Sequence, residues 1–239
     1  SDNIQSWRKS EKTSDIINIY LKKELKKGES IEIEINYQVK LPDSKFTGYG
    51  FDNSNYFLKN WLIVFSNISE SEWYSQSNLN LNDQSLKKSR YEMKVSFDKN
   101  YYLFSNLKIN KTEVLNDTKN VYLSGSDIND VKIDLLIDEN YRNFQNINNE
   151  IETDIFKISS LKEAEKKITR VNNFVKDYFN DNSDLKLLVP KKDYDSNPFY
   201  GLNQLPSFIS PFSDEFLEEI VFLKSFIINY LNQKLNLNR

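Results

Sequence analysis

The hydrophobic period of this chain changes once, and that change limits the fold more than any other feature. From Ile16 to about Ile137 the apolar residues recur at every second position, the repeat of a strand with one buried face. Ile31, Ile33, Ile35, Tyr37 and Val39 alternate with Glu32, Glu34, Asn36 and Gln38. Tyr91, Met93, Val95 and Phe97 alternate with Glu92, Lys94 and Ser96, and Val131, Ile133, Leu135 and Ile137 follow, although Leu136 interrupts their polar face. Lys27-Gly28-Glu29 reads as the turn from a preceding strand, Ile16 to Leu21. Strands with one polar face each predict an antiparallel sheet or sandwich.

The polar run 145–153 reads as a boundary. Beyond it Ser160 and Glu163 form a capping box, and Leu161, Ala164, Ile168, Val171, Val175 and Tyr178 fall on one helical stripe, flanked by Phe174 and Phe179. Asn180 to Asp184 ends that helix, Leu185 to Val189 reads as a strand stopped by Pro190, and a loop rich in Pro and aromatic residues follows. The last element, Asp214 to Leu235, is apolar nearly all round, as a buried helix is. Its Glu218, Glu219 and Lys224 argue against a membrane span, and no run in the chain reaches the ~20 apolar residues that a span requires. The spacing therefore predicts an α+β chain, with an antiparallel β domain over 1–150 and an α/β part over 151–239.

Two absences narrow the chemistry. The chain has no cysteine and no histidine. Disulfides, thiolate metal sites, Cys nucleophiles, imidazole bases and the commonest zinc ligand are all excluded. The 32 basic and 35 acidic residues leave a net charge of −3 without long blocks, so neither a nucleic-acid footprint nor a polybasic membrane patch is present. The opening Ser1-Asp2-Asn3 has no leader pattern. The chain is read as the soluble piece of a longer exported or membrane-tethered protein, in an extracytoplasmic setting.

The order of these elements resembles the aminopeptidase-N-like family of zinc metallopeptidases, the membrane alanyl aminopeptidases. Leu25 to Glu29 and the alternating strand to Tyr37 resemble that family's opening pair of strands. Phe46-Thr47-Gly48-Tyr49-Gly50 and Tyr56-Phe57-Leu58-Lys59-Asn60-Trp61 are similar to its Gly-Tyr turn and Asn-Trp pair, and Tyr91 to Tyr101 to the strand and turn that come next. The resemblance covers nearly the whole chain in order, in short and generic pieces. It implies an N-terminal saddle-shaped β domain followed by the opening of a thermolysin-like domain.

The family's two chemical motifs have counterparts here, and both are altered. Where its bacterial members carry G-G-M-E-Y-P, whose Glu holds the substrate's amino group, this chain has Gly201-Leu202-Asn203-Gln204-Leu205-Pro206. Gln204 can accept a hydrogen bond but supplies no counter-charge for an ammonium. The zinc motif H-E-x-x-H places two ligands one helical turn apart with a general base beside them. The matching run is Phe222-Leu223-Lys224-Ser225-Phe226, with Phe at both ligand positions and Leu223 in place of the base. The family's third ligand would fall beyond Arg239. The resemblance thus implies a site with no catalytic residue, no metal and no cofactor.

Other constellations carry less. Glu32 with Glu34, and Glu218 with Glu219, read as solvated polar faces. Asp193, Asp195 and Asn197 alternate like calcium ligands, but Phe199 and Gln204 stand where an EF-hand needs Gly and Glu. Lys87, Lys88 and Arg90 read as a solvated basic loop. Trp61 and Trp73, near Tyr56 and Tyr74, are candidates for a binding shelf alongside Gly201 and Asn203, and packing between sheets is the blander account.

The expected function is that of a catalytically silent, aminopeptidase-like module that binds or scaffolds a peptide or protein. Two alternatives stay open. One is the front portion of an active zinc aminopeptidase whose metal motif lies past residue 239; the other is an unrelated β-sandwich adhesin or lipoprotein module. The terminal helix is expected to find cover on Leu161 to Phe179 and Leu185 to Val189 with help from a second copy, or on a segment of the parent chain. Ile31, Ile33, Ile35, Tyr91, Val95 and Val131 are expected to share one core, with Glu32, Glu34 and Lys94 in solvent.

Overall fold

A computed structural model describes residues 4–11, 15–45, 48–69, 72–74, 87–137, 142–146, 149–181, 183–195 and 212–234. Its first strands are β1 (Ile4–Lys9), β2 (Ile17–Leu21), β3 (Gly50–Asp52), β4 (Asn55–Leu58), β5 (Asn67–Ser69) and β6 (Glu72–Tyr74). The longer strands β7 (Ser89–Asp98), β8 (Tyr102–Ser105), β9 (Lys108–Leu115), β10 (Thr118–Ile128) and β11 (Ile133–Leu136) follow. The remainder is β12 (Arg142–Asn146), β13 (Asn149–Thr153), α1 (Leu161–Phe179), β14 (Leu185–Val189), α2 (Lys191–Asp195) and α3 (Asp214–Lys234). With 24% helix and 38% strand, and with antiparallel pairing in all the sheets save one junction, the chain is α+β.

Contacts divide the chain into two compact units. One comprises Ser1–Lys40 and Ile63–Leu86 with Asn238–Arg239, and the other Leu41–Leu62 with Lys87–Leu237. The boundary expected near residue 150 falls inside the second unit. In the first unit, β1 pairs antiparallel with β2, and β5 with β6. The expected hairpin of Ile16–Leu21 with Ile31–Val39 is not formed. Lys27 and Gly28 do make a turn, with Gly28 at φ 88° and Glu29 N–H donating to Lys26 O at 3.0 Å. Residues 29–42 carry no turn or bend, and none of the described strands pairs with them. Ile31 and Ile33 are half-buried while Ile35, Tyr37 and Val39 are exposed, and the cluster that holds Tyr91, Val95 and Val131 includes none of Ile31, Ile33 and Ile35, so the expected common core is not formed; Glu32 and Glu34 do face solvent. Alternation specifies two faces; it does not specify which edge a strand will pair with.

The second unit holds the main core. Sheet β7-β10-β9 is antiparallel, with Thr118 opposite Asp98 and Leu115. Tyr91, Met93, Val95 and Phe97 lean on a cluster of Leu107, Val121, Leu123, Ile128, Val131 and Ile133. Gly125 sits at the bulge where the β10–β7 register shifts. Sheet β3-β4-β11-β8 places Ile133 between Leu58 and Ser105. Strand β11 is covered on both faces. Ile133 faces the first cluster, and Leu136 packs with Leu188, Phe57 and Phe104 on the other side. That second cover is why Leu136 breaks the alternation of the sequence.

Within the polar run 145–153, read as a boundary, residues 145–146 and 149–153 lie in strands. Residues of β12 and β13 pair antiparallel, and β13 then pairs parallel with β14, Ile151 opposite Leu187. A parallel neighbour needs a crossover, and α1 supplies it. Ser160 caps α1 by accepting from Glu163 N–H at 3.4 Å, and Asn180 ends it at φ 50° in the left-handed region. Ala164, Ile168, Val171 and Val175 are buried, whereas Leu161 and Tyr178, expected on the same stripe, are exposed. The true stripe is narrower and turned toward Asn172, which is also buried.

Helix α3 folds back on α1 and β14. Phe222, Phe226 and Tyr230 are buried with Ile151, Phe156, Ala164, Ile168, Val171, Leu187 and Val189 in one cluster, while Phe216 stays exposed. Among the described residues, no helix is long and apolar enough to cross a membrane.

Candidate functional site

On β11 and at the residue before it, the positions expected to face solvent point instead into the unit. Lys132 is 8% exposed and Asp134 3%. Their face is covered by α2 and α3, and a network of charged groups fills the join. Asp193 of α2 accepts from Lys132 Nζ at 3.0 Å, from Asn229 Nδ2 at 2.9 Å and from the Tyr49 hydroxyl at 3.1 Å. Lys132 Nζ also donates to Asn229 Oδ1, and Asn229 Nδ2 to Ser225 O one turn earlier on α3. Beside them Lys192 Nζ lies 3.3 Å from Asp134 Oδ1 and 3.4 Å from the centroid of the Phe57 ring, an ion pair and a cation–π contact at once.

Tyr49 enters on the turn before β3, where Gly48 and Gly50 have φ of 70° and 123°. A Cβ on Gly50 would lie 2.1 Å from Pro42 O, the acceptor for Phe51 N–H, so only glycine fits there. The Tyr49 ring is flanked by two ammonium groups, Lys59 Nζ at 4.9 Å and Lys192 Nζ at 5.1 Å. Two backbone supports fix Lys132: Asn106 Oδ1 accepts its N–H at 2.9 Å, and Ser105 Oγ donates to its carbonyl at 2.8 Å.

The protonation states follow from burial and charge. Desolvation alone would raise the Asp193 carboxyl, but Lys132, the Asn229 amide, Lys59 and Lys192 outweigh it and hold the group below the usual range. Burial, then the charge and hydrogen bond of Asp193, push the Tyr49 phenol well above its ordinary value. Tyr49 is thus a donor throughout the physiological range and no general base. Burial, then repulsion from Lys132, brings Lys59 down to about 8. Burial likewise lowers Lys192 and raises Asp130. Three lysines and three aspartates balance, so the cluster ties β11, the Tyr49 turn, α2 and α3 together and presents no net charge to a ligand.

A second polar lock joins α3 to the segment before α1. Glu218, expected on a solvated face with Glu219, is 8% exposed. Its carboxylate accepts from Lys157 N–H at 2.8 Å, Ile158 N–H at 2.7 Å, Ser159 N–H at 3.1 Å and Ser159 Oγ at 2.7 Å. Glu219 is engaged with Arg170 of α1. Burial raises the Glu218 carboxyl, and the hydrogen bonds from Ile158 and Ser159 more than reverse that, leaving it depressed. A depressed carboxyl adds stability above its unfolded value near ~4.3, and that contribution is lost as pH falls through the folded value. Replacing Glu218 with Gln, which turns one acceptor into a donor facing Ser159, should cost ~1–3 kcal/mol at neutral pH. It should also flatten the acid side of the stability profile. Thermal melts of both proteins between neutrality and acid check this, and parallel profiles would contradict it.

The residues singled out from sequence are scattered. Phe222 and Phe226 are fully buried with ring centroids 5.6 Å apart, and Phe156 meets Phe222 at 5.1 Å. Leu223 packs at the edge of the same cluster. Gly201, Asn203 and Gln204 lie outside the described residues. Trp61 leans on the β core and its buried Nε1 has no hydrogen-bond partner among the described residues, whereas Trp73 is 66% exposed on β6. Trp61 and Trp73 belong to different compact units. Lys87 and Lys88 are exposed, and Arg90 pairs with Glu92. Among the described residues no group of three or more His, Cys, Asp or Glu side chains could hold a metal ion. The Tyr49–Asp193–Lys132 network was missed because a polar strand face looks the same in sequence whether water or a charged helix covers it. The one signal was Asp193, read only as half of an incomplete calcium pattern. Compared with known proteins, the chain matches no family model and no curated protein.

Proposed function

We propose that this chain is a catalytically silent, aminopeptidase-like module of a larger extracytoplasmic protein, in which a β domain and the opening of a thermolysin-like domain serve in binding or scaffolding a peptide or protein. One observation carries the reading. The two positions that match zinc ligands in the resembling family are Phe222 and Phe226, one turn apart on α3 and wholly buried among Phe156, Ile168, Leu187 and Tyr230. A pair of rings there supplies close packing and no donor atom for a cation. The chain's freedom from His and Cys supports the same reading, because carboxylates alone make poor zinc cages.

The purified chain should hold no stoichiometric zinc after dialysis and should not cleave aminoacyl reporter substrates. Because Gln204 has no charge, peptides with a free amino terminus should bind no more tightly than their N-acetylated forms. Elemental analysis with one zinc retained per chain, or a strong preference for the free amine in fluorescence anisotropy, would overturn the proposal.

A further inference from the structure

Sheet β7-β10-β9 turns one face to the core, and its other face is hollowed into a cleft of about 700 Å³ lined wholly by residues of those three strands. That volume lies within the range of sites that take a ligand. Two bulges shape it. Tyr122 and Leu123 face Lys111 and Ile109, so the register skips Asn110. Gly125 and Ile128 face Tyr91 and Ser89, so two residues of β10 oppose Arg90 alone, and one of them, Asp127, turns left-handed at φ 58°. Bulges bend a strand and re-aim the side chains beside it.

The cleft face carries more positive than negative charge. Arg90, Lys94, Lys108 and Lys111 stand against Glu92 and Glu113. Both carboxylates are engaged, Glu92 by Arg90, and Glu113 by Lys111 and by the Tyr122 hydroxyl at 3.0 Å. Lys94 and Lys108 are exposed and make no ion pair among the described residues. Asn110 Nδ2 donates to Ser124 Oγ at 2.8 Å, which leaves the Ser124 hydroxyl its own proton to give. Two ammonium groups and a hydroxyl donor suit carboxylates. The Tyr122 ring between them is flanked by Lys94 Nζ and Lys111 Nζ, one from each neighbouring strand and each 5.8 Å from its centroid. No bare aromatic face remains there for a sugar to stack on.

We propose that this cleft binds an acidic peptide segment in extended form, with one carboxylate at Lys94 and another at Lys108. Lys94 lies opposite Tyr122 and Lys108 opposite Ser124 across the central strand, so ~12 Å separates their Cα atoms. Carboxylates at positions i and i+4 of an extended peptide share a face and stand ~13 Å apart. The assignment rests on the peptide-binding role proposed above, and gives it a place and a partner class.

The probe is a fluorescein-labelled Gly-Ser nonapeptide with Glu at its positions 3 and 7, read by fluorescence anisotropy with the whole chain at low salt. It should bind more tightly than the same peptide with Gln at both positions, and should weaken as salt rises. Lys94→Glu with Lys108→Glu should lower its affinity on the order of tenfold, and that variant should favour the peptide with Lys at positions 3 and 7. Lys162→Glu with Lys166→Glu, both exposed on α1, should change nothing. Circular dichroism checks that each variant is folded. A Glu peptide that fails to bind, equal binding of the Gln peptide, or an equal loss in the α1 variant would overturn the proposal. So would displacement by polygalacturonate or by inorganic phosphate at a lower concentration of charge than the unlabelled peptide needs, which would assign the cleft to an anionic polysaccharide or a small anion. Peptide binding that survives the Lys94, Lys108 reversal would sink this site and keep the binding role, whereas retained zinc would sink the silent module and leave the cleft standing.

Discussion

Replacing Asp193 with Ala is expected to destabilise the second compact unit by ~3–5 kcal/mol, the range for breaking one partner out of a buried ion pair. The carboxylate is 7% exposed and answers Lys132, Asn229 and Tyr49 together. Its removal strands the Lys132 ammonium inside the join and takes away the carboxylate to which the Tyr49 hydroxyl donates. Asp193→Asn should cost less, because the amide oxygen can still accept while the counter-charge is gone. Denaturant titrations followed by tryptophan fluorescence give both numbers. A loss below ~1 kcal/mol for the alanine variant would mean that water already reaches this cluster, and the packing of α2 and α3 on β11 would need revision.

The double substitution Phe222→Ser, Phe226→Ser should be more damaging still. Truncating one buried Phe costs ~3–5 kcal/mol, and each serine adds a hydroxyl for which the surrounding Phe156, Ile168, Leu187 and Val189 offer no partner. Two such losses approach the ~5–15 kcal/mol that holds a typical domain folded. The expected outcome is an insoluble or molten second unit, with loss of its cooperative thermal transition in calorimetry. An unchanged transition would place α3 outside the core, and with it the resemblance of the Phe222 and Phe226 positions to a zinc-ligand pair would lose its meaning.

Much of the local structure was legible because local rules decide it. The capping box at Ser160 and Glu163, the helix end at Asn180, the strand before Pro190 and the alternating Tyr91 to Phe97 all behave as their side chains require. Errors arose wherever two elements had to choose each other. Ile31 to Val39 has the cleanest strand pattern in the chain, yet β2 pairs with β1 instead. The polar run 145–153 read as a boundary, yet its Glu150 and Glu152 lie on β13. Lys186 on β14 reaches both, at 3.3 and 3.2 Å, and makes a strand there affordable.

The candidate site shows the same division. The sequence by itself determined that no imidazole or thiol chemistry operates in these residues, that strands precede helices, and that the final helix must be buried, since composition and periodicity are properties of the chain alone. Only the tertiary structure decided that Lys132, Asp134, Asp193 and Glu218 are buried. A charged side chain carries no mark of whether water or an opposite charge will solvate it. That depends on partners remote in sequence, 61 residues apart for Lys132 and Asp193, which come together only when the chain folds.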